Sequence, residues 1–250
     1  MTVKLYGDER IDQLMRYNME IIQSKSVFSF SIDALLLDHF SYTPSHSRAK
    51  IVDLCSGNGV LPLTLSQKSK SKIIGLELQP RLVDMARRSV ELNGLSEQIE
   101  IVQADLADAF DNIPKDSVDV ITCNPPYFEW SETSRKNPNE HLAVARHEIH
   151  TTLEEVIRIT SGLLKMNGRA FFVYRPNRLI EMIDLFRACH LMPKKLQFVY
   201  PKKDSESNMI LVEVIKHGKK SGLKILPPLY LHDGNGDYLP EIKEIIYGKV

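Results

Sequence analysis

The chain has 250 residues, 43% of them hydrophobic, and its 32 lysine and arginine residues balance 32 aspartate and glutamate residues. This length suffices for one enzyme-sized core, and zero formal net charge excludes a polyanion partner recognised by overall charge. Any nucleic-acid contact must therefore be local. From Thr160 to Lys224 we count thirteen basic against five acidic residues, an excess that suits a face meeting phosphates, although ordinary solvated surface explains it equally well.

The three cysteines, Cys55, Cys123 and Cys189, are widely spaced and contain no C-x-x-C pair. This pattern indicates neither a disulfide framework nor a zinc site, and it is typical of a reducing cytoplasm. Residues 1–12 lack the apolar region of a secretory signal, and no stretch reaches the ~18 apolar residues of a membrane span. We expect a cytoplasmic protein with no membrane partner and no metal; the sequence does not indicate an oligomeric state.

Short β-rich segments alternate along the chain with helix-length segments, which predicts an α/β fold with a mostly parallel sheet. A leucine-rich helix capped near Asp33 is expected to pack across the edge or top of this sheet. Strands are predicted at Lys50–Leu54, Lys72–Leu76, Ile99–Gln103, Val118–Cys123, Arg169–Tyr174, Gln197–Tyr200 and Met209–Ile215. Further helices are predicted at Gly59–Ser69, Pro80–Asn93, Leu153–Met166 and Asn177–Cys189, with Asn93-Gly94 and Asn167-Gly168 as helix ends.

The last two predicted strands are joined by only a short polar loop, so they can pair only as an antiparallel hairpin. The sheet should therefore have seven strands, five parallel ones and this terminal hairpin. We divide the chain into an N-terminal cap segment (1–46), the main α/β domain (47–217), and a basic loop with a C-terminal tail (218–250). Periodicity does not place the tail.

The first predicted strand ends in a turn of small residues, Asp53-Leu-Cys-Ser-Gly-Asn-Gly59. Ligands of open α/β sheets bind at the carboxyl ends of the strands. Gly57 and Gly59 would let the backbone approach a nucleoside, and the following helix offers free N–H groups. Cys55 occupies a position where a further glycine could be, and the spacing of the two glycines is not G-x-G-x-x-G. This disfavours a pyrophosphate-binding dinucleotide site. A tight structural turn is the simpler alternative.

Acidic residues follow the next two predicted strands. Glu77 ends the second strand, where a carboxylate can accept both hydroxyls of a ribose. Asp105 and Leu106 follow the third strand, where the Asp105 carboxylate could accept a hydrogen bond from an adenine amino group. The competing interpretation is that each acid caps the helix that begins beside it.

The fourth predicted strand runs directly into Asn124-Pro125-Pro126-Tyr127. The two prolines fix φ and remove two N–H donors, so the carbonyls of this loop point in set directions. The Asn124 side-chain oxygen and the Pro125 carbonyl could together accept both hydrogens of one substrate NH₂ and so localise the nitrogen lone pair. Tyr127 offers a flat face for stacking a base. The alternative, a proline-rich turn that begins with Asn, is disfavoured by the position of the motif behind a nucleoside-binding turn.

These residues resemble the class I, Rossmann-like methyltransferases that modify amino groups, whose motif IV is (Asn/Asp/Ser)-Pro-Pro-(Tyr/Phe/Trp). More narrowly, the chain is similar to the bacterial tRNA1(Val) adenine-37 N6-methyltransferase family over about residues 15–215. The similarity rests on Phe28-x-Phe-x-Ile-Asp33, the turn at Asp53, Asn124–Tyr127, and Ala145-Arg-His-Glu148.

The resemblance implies S-adenosyl-L-methionine as cofactor and tRNA as partner. It implies that Asp53, Gly57, Glu77 and Asp105 contact the cofactor and that Asn124 and Tyr127 hold the target base. Cys55, Gly59, Leu106 and Asn124 complete the expected cofactor pocket, with Cys55 departing from the commoner glycine. Four residues beyond the motif, Arg135, Lys136, Arg146 and His147, could form a collar for RNA phosphates or be plain solvated charges.

Three alternatives to adenine methylation in tRNA stay open. Glutamine-methylating enzymes also carry Asn-Pro-Pro-Tyr but usually have a larger N-terminal helical domain than the ~45 residues before the first strand here. A guanine N2 amine is another possible target, whereas DNA methylation is disfavoured because no separate target-recognition domain is evident. A noncatalytic RNA-binding protein on this scaffold is the third, and the intact Glu77, Asp105 and Asn124–Tyr127 count against it.

Overall fold

The computed structural model describes residues 3–27, 29–126 and 151–249. An N-terminal hairpin pairs β1 (Glu9–Leu14) with β2 (Met19–Ser24). The central sheet contains β3 (Lys50–Leu54), β4 (Lys72–Glu77), β5 (Ile99–Gln103), β6 (Val118–Cys123), β7 (Leu164–Tyr174), β8 (Leu191–Tyr200), β9 (Met209–Lys216), β10 (Lys224–Ile225) and β11 (Leu229–Tyr230). Its strand order is β10-β8-β9-β7-β6-β3-β4-β5, and β11 also pairs with β8.

Helices cover both faces of this sheet. They are α1 (Ile32–Phe40), α2 (Val60–Ser66), α3 (Pro80–Leu92), α4 (Ala109–Asn112), α5 (Leu153–Leu163), α6 (Leu179–Ala188) and α7 (Pro240–Tyr247). Buried residues of α1, α2, α3 and α7 form one apolar cluster with one sheet face. Those of α4, α5 and α6 form a second cluster on the other face. The two clusters hold the sheet between two helical layers and leave the ends of its strands as the places where a ligand can approach.

The seven predicted strands and their pairing are confirmed. β3, β4, β5, β6 and β7 pair in parallel, whereas β9 is antiparallel to both β7 and β8. The two-residue strands β10 and β11 extend the sheet to nine strands along the edge of β8. The predicted start of α3 at Pro80 and its end before Asn93-Gly94 are also confirmed, and Gly94 has a φ of 67°.

The predicted end of α5 near Met166 is wrong. The helix ends at Leu163, and Leu164 already pairs with Val118 of β6. The residues between Leu164 and Arg169 bulge from the ladder, so Asn167, with a φ of 63°, shapes a strand irregularity and does not end a helix. Tertiary pairing of a buried leucine has overridden the helical periodicity of this segment.

The N-terminal segment contains a hairpin that the sequence did not predict. Its turn passes through Asn18 in the left-handed conformation (φ 50°). The predicted leucine-rich helix is confirmed: α1 begins at Ile32 with Ser31 at its N-cap, two residues before Asp33, which is buried in the first turn. Residue 28 lies outside the described residues.

Both chain ends contribute to the first apolar cluster, with Ile21 of β2 and Ile242 of α7 packing into it beside Ile51 of β3. The proposed segment boundaries at residues 46 and 217 stay a prediction. Among the helices of the described ranges, none combines the length and the apolar character needed to cross a membrane.

Candidate active site

The turn after β3 runs through three residues with positive φ: Cys55 (58°), Gly57 (57°) and Gly59 (84°). A Cβ on Gly57 would meet no atom within 4 Å, so open space lies beside this backbone. A Cβ on Gly59 would lie 3.0 Å from the Cβ of Ala86 in α3. One glycine therefore leaves room for a ligand, and the other allows α2 and α3 to pack closely.

Glu77 lies at the carboxyl end of β4 and is 6% exposed. Its Oε2 accepts a hydrogen bond from the Gly57 N–H at 2.8 Å, and its Oε1 accepts one from the Gln79 N–H at 2.9 Å. Burial raises the pKa of this carboxyl, and these backbone donors counteract the rise. Because each carboxylate oxygen has two lone-pair sites, both can still accept a ribose hydroxyl while the backbone fixes their direction.

Asp53, at the end of β3, is fully buried. Its Oδ1 accepts a hydrogen bond from the Thr122 hydroxyl of β6 at 2.6 Å. Burial raises the pKa of Asp53 to about 7; the hydrogen bond from Thr122 and the nearby Ser56 hydroxyl lower it, and the charge of Glu77 raises it further. Oδ2 of Asp53 and Oγ of Ser56 are buried without a hydrogen-bond partner among the described residues. A buried carboxylate oxygen in this state favours a cationic or hydrogen-bonding ligand.

The half-buried Asp105 caps the short 3-10 turn that follows β5, because its Oδ1 accepts from the Ala107 N–H at 3.0 Å. The competing interpretation of this residue as a cap is therefore correct for Oδ1, and Oδ2 carries no backbone hydrogen bond of this cap and could accept from an adenine amine. Leu106 is buried in the second apolar cluster. The Ala104 N–H donates to the Glu77 carbonyl at 3.1 Å, which keeps the ends of β4 and β5 together.

Asn124, Pro125 and Pro126 leave β6 directly beside the turn after β3, since Cys123 pairs with Leu54 in the parallel ladder. Pro125 is buried, whereas Asn124 and Pro126 are half-buried. The remaining members of the predicted site and collar lie outside the described residues: Tyr127, Arg135, Lys136, Ala145, Arg146, His147 and Glu148.

Sequence reasoning missed Thr122, Ser56 and Asn58. The strand pattern identifies Thr122 only as a β-branched strand residue, yet its hydroxyl donates a hydrogen bond to Asp53. Asn58 is 2% exposed, and its side-chain amide donates to the Ile22 carbonyl of β2 at 3.4 Å. The N-terminal hairpin thus contacts the glycine turn, a link between distant segments that no local pattern could indicate.

Comparison with known proteins agrees with this geometry. Residues 18–200 match the methyltransferase small domain family. The chain belongs to that family. Among relatives, a Bacteroides fragilis (strain YCH46) protein named tRNA1(Val) (adenine(37)-N6)-methyltransferase is 26% identical over 209 residues, which are 77% of this chain and 86% of the relative. A protein of the same name from Aliivibrio fischeri (strain MJ11) is 26% identical over 82% of this chain and 84% of its own length.

Solved structures show the fold of this family member. A predicted O-methyltransferase from Agrobacterium tumefaciens superposes with a TM-score of 0.67 at 22% identity, covering 86% of this chain and 96% of the other. A putative transferase from Pyrococcus horikoshii gives 0.60 at 13% identity, with 83% and 72% covered. The methyltransferase small domain here therefore has the α/β, Rossmann-like class I methyltransferase fold that the motifs predicted.

Proposed function

We propose that this protein uses S-adenosyl-L-methionine to methylate the exocyclic N6 of an adenine in tRNA, at position 37 of tRNA1(Val). Family membership supports a methyl-transfer reaction. The names of relatives that match most of this chain support the substrate. The residues at the carboxyl ends of β3, β4 and β6 support the division of labour between cofactor and base.

The pocket beside Gly57 suits S-adenosylmethionine. When bound, this cofactor supplies an electrophilic methyl group on a sulfonium sulfur. Glu77 is oriented to accept the ribose hydroxyls, and Gly57 leaves space for the nucleoside. Oδ2 of Asp53, which has no partner in the described part of the chain, can accept from the ammonium group of the methionine part. These features also favour S-adenosylmethionine over a dinucleotide, because the pyrophosphate of a dinucleotide would need a glycine at the position of Cys55.

The observation that carries the proposal is the pairing of Leu54 with Cys123, because it starts the Asn-Pro-Pro loop beside the cofactor turn. Asn124 Oδ1 and the Pro125 carbonyl can accept the two hydrogens of the target amine. If these acceptors hold the amine in a geometry nearer tetrahedral than planar, the lone pair of its nitrogen is localised. In a planar aromatic amine that lone pair is delocalised. No strong general base is then required, and we assign Tyr127 the task of stacking the base.

The test is methylation of unmodified tRNA by the purified protein, followed by nucleoside mass spectrometry. The proposal predicts N6-methyladenosine in tRNA1(Val) and its loss when adenine 37 of the transcript is replaced by guanine. N2-methylguanosine, or labelling of protein glutamine alone, would replace the proposed substrate with one of the alternatives. Binding of RNA with no transfer from S-adenosylmethionine would support the noncatalytic alternative.

A further inference from the structure

Two fully buried side chains on neighbouring strands join the two halves of the candidate active site. Asp53 of β3 and Thr122 of β6 are register partners in the parallel ladder, and both have 0% exposure. The Thr122 hydroxyl donates to Oδ1 of Asp53 at 2.6 Å. Thr122 stands two residues before Asn124, so one hydrogen bond connects the cofactor turn to the strand that carries the Asn-Pro-Pro loop.

The surroundings of this pair make the hydroxyl important for the charge of Asp53. β4 contributes Glu77, whose negative charge disfavours a second ionised carboxyl. β6 contributes the Cys123 thiol, itself buried and close to both Cys55 and Asp53. The turn contributes Cys55 and Ser56. In the described part of the chain, no cationic group is among the causes that set the ionisation of Asp53. Thr122 and Ser56 are thus the groups that favour its charged form.

We infer that Thr122 is a positioning residue that favours the ionised form of the Asp53 carboxylate and leaves its Oδ2 to receive the ammonium group of the cofactor. This inference rests on the proposed function, because it assumes a ligand with an amino-acid ammonium. The hydroxyl uses Oδ1 and so fixes the carboxylate plane. Oδ2 is then held in a defined direction, buried and without a partner among the described residues.

Cofactor affinity should consequently depend on pH. Burial raises the pKa of Asp53 to about 7, so the ligand-free protein at neutral pH is a mixture of protonated and ionised forms. Only the ionised form attracts an ammonium group. Affinity should therefore increase as the pH rises through about 7 and level off above it. Loss of the Thr122 donor removes a hydrogen bond to the charged form, which raises the pKa of Asp53 further.

The experiment is calorimetric titration of S-adenosylmethionine at pH 5.5–8.5 into the parent, Thr122→Val and Thr122→Ser. Thr122→Val keeps the shape and removes the donor, whereas Thr122→Ser restores a hydroxyl. We expect Thr122→Val to move the midpoint of the affinity profile upward by about one pH unit, with about fivefold weaker binding at pH 7. Thr122→Ser should stay close to the parent. Methylthioadenosine, which lacks the ammonium group, should bind all three proteins alike.

A parent midpoint retained in Thr122→Val would overturn the inference, as would equal weakening of methylthioadenosine, because the latter indicates a general distortion of the pocket. Failure of the parent to bind S-adenosylmethionine would instead contradict the proposed function.

A second measurement needs no cofactor. The folded-state pKa of Asp53 lies above that of an unfolded chain, so its contribution to stability is present at low pH and is lost as the pH rises through the folded-state pKa. The decline of the melting temperature with pH should level off at a higher pH in Thr122→Val, and at the parental pH in Thr122→Ser. An unshifted decline in well-folded Thr122→Val would contradict the inference. If Thr122→Val does not fold, Thr122→Ala serves both measurements under the same criteria.

Discussion

Cys55 occupies a backbone conformation that suits glycine better than cysteine. Its φ of 58° lies in the left-handed region, in a turn where Gly57 has nearly the same φ. This explains why glycine is the commoner residue of the motif at this position. The sequence could show the substitution but not the conformation, because only the folded turn fixes φ.

The effect of replacing Cys55 on stability should therefore depend on how easily the new residue adopts a left-handed φ. A left-handed φ destabilises a residue with a Cβ by ~1–2 kcal/mol, and glycine avoids this cost. The greater entropy of glycine in the unfolded chain offsets ~0.5–1 kcal/mol of that difference. We expect Cys55→Gly to be more stable than Cys55→Ala by about 1 kcal/mol in denaturant titrations. Because both variants remove the same thiol, greater stability of Cys55→Ala would contradict a strained turn.

Glu77 should contribute to cofactor affinity through its oriented carboxylate. Glu77→Ala removes a charged acceptor and is expected to weaken S-adenosylmethionine by ~1.5–3 kcal/mol, or roughly tenfold to a hundredfold. Calorimetry checks this, with melting temperatures to register any loosening of the Gly57 turn. Glu100→Ala, on the exposed side of β5, is the matched control. Equal affinity of Glu77→Ala and the control would place the ribose elsewhere.

Among the helices and strands, the features that the sequence predicts correctly are those determined by residues close together in the chain. The parallel strands were predictable because buried strands form short β-branched runs, and Pro80 and Asn93-Gly94 mark the ends of α3 with residues that favour helix ends. The placement of the candidate site residues at strand ends was predictable for the same reason, since each follows a recognisable strand. Strand pairing accounts for the errors: Leu164 joins β6 instead of extending α5, and β8 begins at Leu191 because β9 pairs with it from Leu191 to Val199.

The N-terminal hairpin illustrates the same limit, since its attachment depends on residues far along the chain. Asn93, at the end of α3, accepts from the Glu20 N–H at 3.0 Å and donates to the Glu20 carbonyl at 2.6 Å. Ser89 accepts from the Ile22 N–H at 2.9 Å. Side chains of α3 thus take the place of a neighbouring strand along β2.

Asn93→Ala should detach this edge of the hairpin and lower the free energy of unfolding by about 1–3 kcal/mol, because two half-buried backbone groups lose their partners. Glu91→Ala on the exposed face of the same helix is the control. Denaturant titration distinguishes the two variants, and an effect no larger than that of the control would mean that the hairpin is held by apolar contacts alone.

At the scale of the whole molecule, the basic stretch from Thr160 to Lys224 does not form one face. β9 runs antiparallel to β7, with Ile210 opposite Tyr174 and Ile215 opposite Arg169. The loop between β8 and β9, which carries Lys202 and Lys203, therefore lies at the same edge of the sheet as Asn124. Lys219 and Lys220 follow β9 at the opposite edge, and all four lysines are exposed.

This arrangement predicts which lysines contact RNA near the target base. Lys202→Glu with Lys203→Glu should raise the KM for tRNA about tenfold at low salt and reduce its salt dependence, without changing cofactor affinity. Lys219→Glu with Lys220→Glu is the matched charge reversal and should stay near the parental KM. The measurement is steady-state kinetics at several salt concentrations. A larger effect of the Lys219→Glu, Lys220→Glu variant would contradict this placement.

In the proposed mechanism, Asn124 acts on the substrate amine while the residues around Gly57 hold the cofactor. Asn124→Ala removes one oriented acceptor, so the loss should fall on the chemical step. By analogy with removal of one preorganised polar group from an active site, we expect a rate ~10²–10³-fold lower, about 2.7–4 kcal/mol, with Asp as a milder change. The measurement is single-turnover methylation of tRNA, with melting temperature and S-adenosylmethionine affinity determined on the same preparations. We expect a folded variant that binds cofactor normally and transfers methyl groups slowly; transfer at near the parental rate would contradict this role of Asn124.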